Sequence, residues 1–122
     1  MALVLIVDDS PTETHLLREM LEKNGHSVIT AENGALGVKT CKEKKPDLVL
    51  MDVVMPELNG FQATRQLSKD PETAHIPIII VTTKDQETDR LWGLKQGARD
   101  YLTKPVSEKA LITTLKSLLG QG

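Results

Sequence analysis

The chain has 122 residues, 26% of them charged and 39% hydrophobic, with a net charge of −2. That supports one domain with one substantial core and gives too little positive charge to grip nucleic-acid phosphates. Phe61, Trp92 and Tyr101, the aromatic residues, offer no stacking platform for bases or a flavin, and the single Cys41 excludes an internal disulfide and suits a reducing cytoplasm.

A first apolar strand is expected at Leu3–Val7. It runs straight into Asp8 and Asp9 with no basic flank, so it does not read as a signal peptide, and no later apolar run approaches the length of a membrane span. Ser10-Pro11-Thr12-Glu13 then reads as a helix start: a capping serine, proline in the first turn and a glutamate three residues after the cap. Leu16, Leu17, Met20 and Leu21 give that helix its apolar stripe, and Gly25 stops it. A second strand follows at Ser27–Ala31. A second helix, capped by Asn33, turns Ala35, Val38 and Cys41 inward and ends at Pro46. The third strand is Leu48–Met51, and the third helix runs from about Asn59 to Leu67, before Asp70-Pro71. Strand four is Ile76–Val81. Helix four covers about Asp85 to Gln96, with Leu91 and Leu94 facing the core and Gly97 as its stop. Strand five is Ala98–Leu102. Helix five is capped by Ser107 and carries Leu111, Leu115, Leu118 and Leu119. The continuously apolar strands read as covered on both faces, and strict strand–helix alternation with short connections implies a doubly wound α/β fold with right-handed crossovers. No linker or internal repeat is visible, so residues 1–122 are expected to form one domain with no output domain attached.

Ligands of such sheets bind beyond the C-terminal strand ends. Asp8 and Asp9 end the first strand, Asp52 the third, Thr82-Thr83 the fourth and Lys104-Pro105 the fifth. Each alone reads blandly, as a helix cap, a turn former or a surface lysine. Together at one sheet edge they read as a site. Two carboxylates ~4 Å apart at an effective dielectric of ~20 repel by roughly 4 kcal/mol, so the cluster either raises a pKa or holds a cation. Oxygen-only donors suit Mg²⁺ first and Mn²⁺ second, and the lack of His or Cys disfavours zinc. A hard cation with a carboxylate, a hydroxyl and an ammonium is equipment for phosphoryl transfer, with Asp52, the lone acid on the central strand, as the nucleophile. His15, His26 and His75 lie outside this set and are expected at the surface, and Cys41 is expected to pack on the second helix.

On these residues the chain resembles the receiver domain of two-component response regulators. The resemblance rests on Leu5-Ile6-Val7-Asp8-Asp9-Ser10, Asp52-Val53-Val54-Met55-Pro56 with Gly60, Thr82, and Tyr101-Leu102-Thr103-Lys104-Pro105, and it covers essentially the whole chain. It implies a five-stranded parallel sheet of order 2-1-3-4-5 flanked by five helices, the flavodoxin-like receiver fold. It further implies that Asp52 accepts a phosphoryl group from a kinase phosphohistidine. Asp9, Asp52 and the Val54 carbonyl would hold Mg²⁺, with Asp8 acting through water. Lys104 would pair with the phosphoryl oxygens, Thr82 would move to bond them, Tyr101 would swing inward, and the Lys104–Pro105 peptide would be cis.

The stretches Phe61–Leu67, Val81–Asp89 and Gln96–Val106 are similar, more narrowly, to stand-alone regulators of type IV pilus twitching motility. That likeness implies a chemotaxis-type hybrid histidine kinase as donor. It also implies either action on the pilus motor machinery or service as a phosphate sink. Composition and hydropathy add the expectation of a cytoplasmic protein that binds neither nucleic acid nor membrane, and it is expected to be a monomer. Since Thr82 and Lys104 precede helices four and five, the responding face is expected to comprise helix four, strand five and helix five, including Arg90, Trp92, Lys95, Arg99 and Tyr101. Trp92 is either a partner anchor or ordinary packing. The chain is read as a signalling protein with no turnover of an external metabolite. The rivals are a small Mg²⁺-dependent aspartyl-phosphate phosphatase, an FMN carrier and a pseudo-receiver that only docks. The first lacks a second acid two residues after Asp52, where Val54 stands. The second lacks a hydroxyl- and glycine-rich loop after the first strand.

Overall fold

The computed structural model describes residues 1–120. Strands β1 (Leu3–Val7), β2 (Ser27–Ala31), β3 (Leu48–Met51), β4 (Ile78–Thr82) and β5 (Asp100–Thr103) alternate with helices α1 (Pro11–Lys23), α2 (Gly34–Lys44), α3 (Gly60–Lys69), α4 (Glu87–Lys95) and α5 (Glu108–Leu119). The strands form one parallel sheet in the order β2-β1-β3-β4-β5. The first three strands match their expected bounds. The last two begin two residues later than expected. Pro77 has no N–H to give, though its carbonyl receives the Val49 N–H, and the Ala98 N–H is still closing the end of α4 on the Gly93 carbonyl.

Alternate strand residues feed opposite faces. Val4, Ile6, Leu48, Leu50, Ile79 and Val81 pack with Leu17 and Leu21 of α1 and Leu111, Ile112 and Leu115 of α5. Leu5, Val7, Val49, Met51 and Ile78 pack with Val38 and Cys41 of α2 and Ala63 and Leu67 of α3. Ile80 and Tyr101 complete that second face with Val53 and Ala98, and Phe61 lies against them. Each fully buried aliphatic side chain contributes about 2 kcal/mol, which fixes the helices over the strands and the strand ends beside one another.

Five sequence expectations are corrected. Ala35 is exposed, and the buried residues at the start of α2 are Gly34 and Gly37, the latter because a side chain there would collide with Val7. Leu16 and Leu91 are exposed. His26 is buried, with its Nδ1 accepting the Ala2 N–H at 3.1 Å. Burial, then the chain's amino terminus and Lys116, hold its pKa below the usual value. Finally, only half of the Ser10 capping box forms. Ser10 Oγ accepts the Glu13 N–H, but the Ser10 N–H goes to Asp8 Oδ1 at 2.9 Å, and the Glu13 carboxylate turns elsewhere. A complete capping box stands instead on α3, between Asn59 and Gln62. Cys41 is buried as expected, and burial raises its thiol pKa to about 11, leaving it neutral.

Candidate functional site

The pairing of β1 and β3 places Val7 beside Met51, so that Asp8 and Asp52 emerge next to each other at the C-terminal edge of the sheet. The Asp52 N–H is tied to the Val7 carbonyl at 2.9 Å and the Asp8 N–H to the Ala31 carbonyl at 3.1 Å. One carboxylate oxygen from each of Asp8, Asp9 and Asp52 lies within 4.8 Å of the others. Asp8 and Asp52 are buried and Asp9 is exposed, so the cluster has a floor and an open mouth. The donor set is three carboxylates, which fits a hard divalent cation and relieves the repulsion among them.

Lys104 reaches this cluster from the end of β5. Its N–H donates to the Thr82 carbonyl at 2.8 Å, and the Lys104–Pro105 peptide is cis. Its ammonium lies 2.8 Å from Asp8 Oδ2, 3.7 Å from Asp52 Oδ2 and 3.8 Å from Glu13 Oε2. Burial works against that charge, but the hydrogen bond to Asp8 and the neighbouring charges of Asp52, Asp8 and Glu13 outweigh it, so the pKa is raised. Asp52 shows the opposite tension. Burial, then the Asp8 charge, push its pKa up, while Lys104 and a 2.8 Å hydrogen bond from the Val53 N–H to Oδ1 pull it back.

Gly60 makes the floor possible. It begins α3 directly against the Asp52 main chain, and a Cβ there would run into the Asp52 carbonyl oxygen. Behind β4, Thr82 is buried, and its Oγ1 receives the Lys84 N–H at 3.4 Å. The Lys84 carbonyl in turn accepts the Tyr101 hydroxyl at 2.8 Å. Tyr101 is buried, and burial followed by Asp89, Asp85 and Asp52 pushes its pKa up to about 12, so it stays a donor.

The expected set Asp8, Asp9, Asp52 and Lys104 is therefore brought into one cluster. Thr82 stands at the end of β4, between β3 and β5. Val54, the expected carbonyl donor, lies just past Asp52 with its side chain exposed. The expected partner face divides: Arg90 donates to the Tyr101 carbonyl at 3.4 Å, whereas Trp92 and Lys95 line a groove with Arg65 and Lys69 of α3. Sequence reading missed Glu13, whose position three residues after Ser10 reads as a cap although its carboxylate serves Lys104. It also missed the Lys84 carbonyl, a main-chain group with no sequence signature.

A doubly wound sheet with three acids and a lysine at its C-terminal edge is the architecture of a phosphoacceptor module, and the sequence profile of the response regulator receiver domain matches residues 4–116. The chain belongs to that family, whose members take up phosphoryl groups in magnesium-dependent reactions. It is 66% identical to the protein PilH of Pseudomonas aeruginosa over 98% of both chains. Among solved structures it is similar to the chemotaxis protein CheY4 of Vibrio cholerae, with a TM-score of 0.90 and 29% identity over 98% of this chain and 99% of that one. It is equally similar to the receiver domain of a Pseudomonas aeruginosa sensor histidine kinase with magnesium coordinated in its active-site cleft, with a TM-score of 0.90 and 30% identity over 98% of both chains. The order 2-1-3-4-5 and the five flanking helices agree with these neighbours.

Proposed function

We propose that this protein accepts a phosphoryl group on Asp52 from a histidine kinase and signals through protein contacts in type IV pilus twitching motility. The observation that carries the phosphoacceptor assignment is the Asp52 carboxylate, held 3.7 Å from the Lys104 ammonium and clustered with those of Asp8 and Asp9. The 66% identity to PilH carries the motility assignment, and a chemotaxis-type hybrid kinase is the donor that fits it.

Asp52 attacks as the carboxylate, so it must be ionised when the donor arrives. Lys104 and the Val53 N–H favour that form against the pull of burial and Asp8. One Asp52 oxygen forms the new P–O bond while the P–N bond to the donor imidazole breaks, and the imidazole leaves with the bonding pair and takes a proton. Asp9, Asp52 and the Val54 carbonyl would hold Mg²⁺, or Mn²⁺, with Asp8 behind them. When bound, that ion offsets negative charge on the phosphoryl oxygens. Lys104 exchanges part of its contact with Asp8 and Glu13 for a phosphoryl oxygen. Thr82 gives up the Lys84 N–H and donates its hydroxyl to another, while Tyr101, which was expected to swing inward, is already buried and bonded to the Lys84 carbonyl and holds that inward position. Arg90, Arg99 and Tyr101 lie on the face that would read this change.

Incubation with phosphoramidate and Mg²⁺ is expected to add one phosphoryl group, labile to hydroxylamine and mapped by mass to Asp52. Asp52→Asn and chelation of the metal should each remove the modification. Labelling that persists at another carboxyl would refute the assignment, and steady hydrolysis of small phosphate esters would favour the phosphatase reading instead. The motility role is tested by expressing the chain in Pseudomonas aeruginosa lacking PilH, where twitching should be restored by the wild type and not by Asp52→Asn.

A further inference from the structure

Outside the acidic pocket, the structure gathers a second chemistry between α3 and α4. Arg65 and Lys69 of α3, with Trp92, Lys95 and Gln96 at the end of α4, line an open groove of about 350 Å³. The three cationic side chains are exposed, and among the described residues none of them has a carboxylate within ion-pair distance. Arg18, Lys23, Lys42, Lys45 and Lys84 have such partners, and the other unpaired cations among the described residues, such as Lys39, Lys44, Lys109 and Lys116, do not line this groove. Trp92 is 48% exposed, with the Lys95 ammonium 5.8 Å from its ring centroid. Next to the groove, α3 and the turn after α4 approach so tightly that a Cβ on Gly97 would run into the Ser68 side chain.

Three unpartnered cations around an exposed indole make a local positive charge opposite in sign to the net charge of the molecule, −2. Tryptophan and arginine are the residue types that dominate binding energetics, and complementary charge steers and orients a partner. We propose that this groove docks an acidic segment of a partner protein, with an apolar side chain of that segment seated on Trp92 and its carboxylates on Arg65, Lys69 and Lys95. The concave shape favours an extended or helical peptide over a flat anionic membrane, and so does the overall negative charge of the chain. Because one wall is α3 and the other α4, an occupant would also bridge the two helices. This docking does not depend on phosphorylation at Asp52.

The test uses the full chain, unphosphorylated and without metal. The probe is a short synthetic peptide of glutamates flanking one leucine, with a lysine-for-glutamate version as control. Trp92 is the chain's one tryptophan, so its fluorescence reports this groove directly. Saturable change with the acidic peptide, lost with the lysine peptide and weakened by salt, is expected. Combined Arg65→Glu and Lys95→Glu should weaken binding roughly tenfold, read by anisotropy of a labelled peptide, while Lys109→Glu on α5 should leave it unchanged. Trp92→Ala should weaken it several-fold with unaltered circular dichroism. The bound peptide should also slow amide exchange in α4. The proposal is overturned by no saturation at millimolar peptide, by an equal response to the lysine peptide, or by indifference to the charge reversals. It is equally overturned if Trp92 responds to phosphatidylglycerol vesicles or to self-association and not to the peptide.

Discussion

Helices α3 and α4 cover the same face of the sheet, side by side, yet they are held in different ways. α3 has a reciprocal cap and buries Gly60, Ala63, Thr64 and Leu67. α4 has no side-chain cap hydrogen bond, buries Gly93 alone, and leaves Leu91 57% and Trp92 48% exposed. The helix that abuts Asp52 is thus anchored, while the one that abuts Tyr101 is thinly attached. Segments with few buried apolar contacts open at low free-energy cost, which is what a responding element requires. The contrast puts the firmly packed helix beside the acid cluster and the thinly packed one beyond it.

Paired substitutions sharpen that contrast. Leu67→Ala in α3 should cost about 3 kcal/mol of unfolding free energy in urea titration, because it empties a site that is 1% exposed. Leu91→Ala in α4 should fall within about 0.5 kcal/mol of wild type. A comparable loss at both positions would break the comparison.

Gly60→Ala and Gly93→Ala form the next pair. At Gly60 the new methyl meets the Asp52 carbonyl and the Val53 Cα, both main chain, and about 2 kcal/mol should be lost. At Gly93 it meets Ile80 Cδ1 at 2.7 Å and the edge of the Tyr101 ring at 3.1 Å, which are side-chain atoms able to shift. The better helix propensity of alanine, about 1 kcal/mol, offsets much of that strain. Stability should therefore stay close to wild type while the Tyr101 ring moves, as reported by its aromatic NMR signals.

The smallest effect lies away from both helices and serves as their control. Native His26 resists protonation, so below about pH 6.5 the unfolded chain binds a proton that the folded chain does not. Stability should therefore fall as pH drops through that value, until the lowered folded pKa is passed. His26→Gln should flatten the dependence between pH 5.5 and 7.5 in denaturant titrations, without changing the α3–α4 contrast.

The sequence made the anchored half legible. Continuous apolar runs set β1 and β3 to the residue, a mixed run set β2, and acids at strand ends could be placed together because parallel α/β topology puts strand ends side by side. The α4 side was harder to read. Leu91, Trp92 and Leu94 spread apolar character around the helix, so periodicity favoured Leu91 as a core residue, whereas the structure turns Gly93 inward to let α4 approach Tyr101. Glu13 and His26 were misread for a related reason. Their partners, Lys104 and the Ala2 N–H, are remote in sequence, and local pattern carries no trace of them.

Lys84 joins these two readings. Its N–H faces the Thr82 hydroxyl and its carbonyl holds the Tyr101 phenol, so a single peptide segment stands between the pocket and the aromatic ring. Rotation of the threonine toward the acids would loosen one side of that segment, and displacement of the ring would loosen the other. The two contacts therefore share one joint made of backbone atoms, while the side chain at position 84 turns away to Asp89 and takes no part in either.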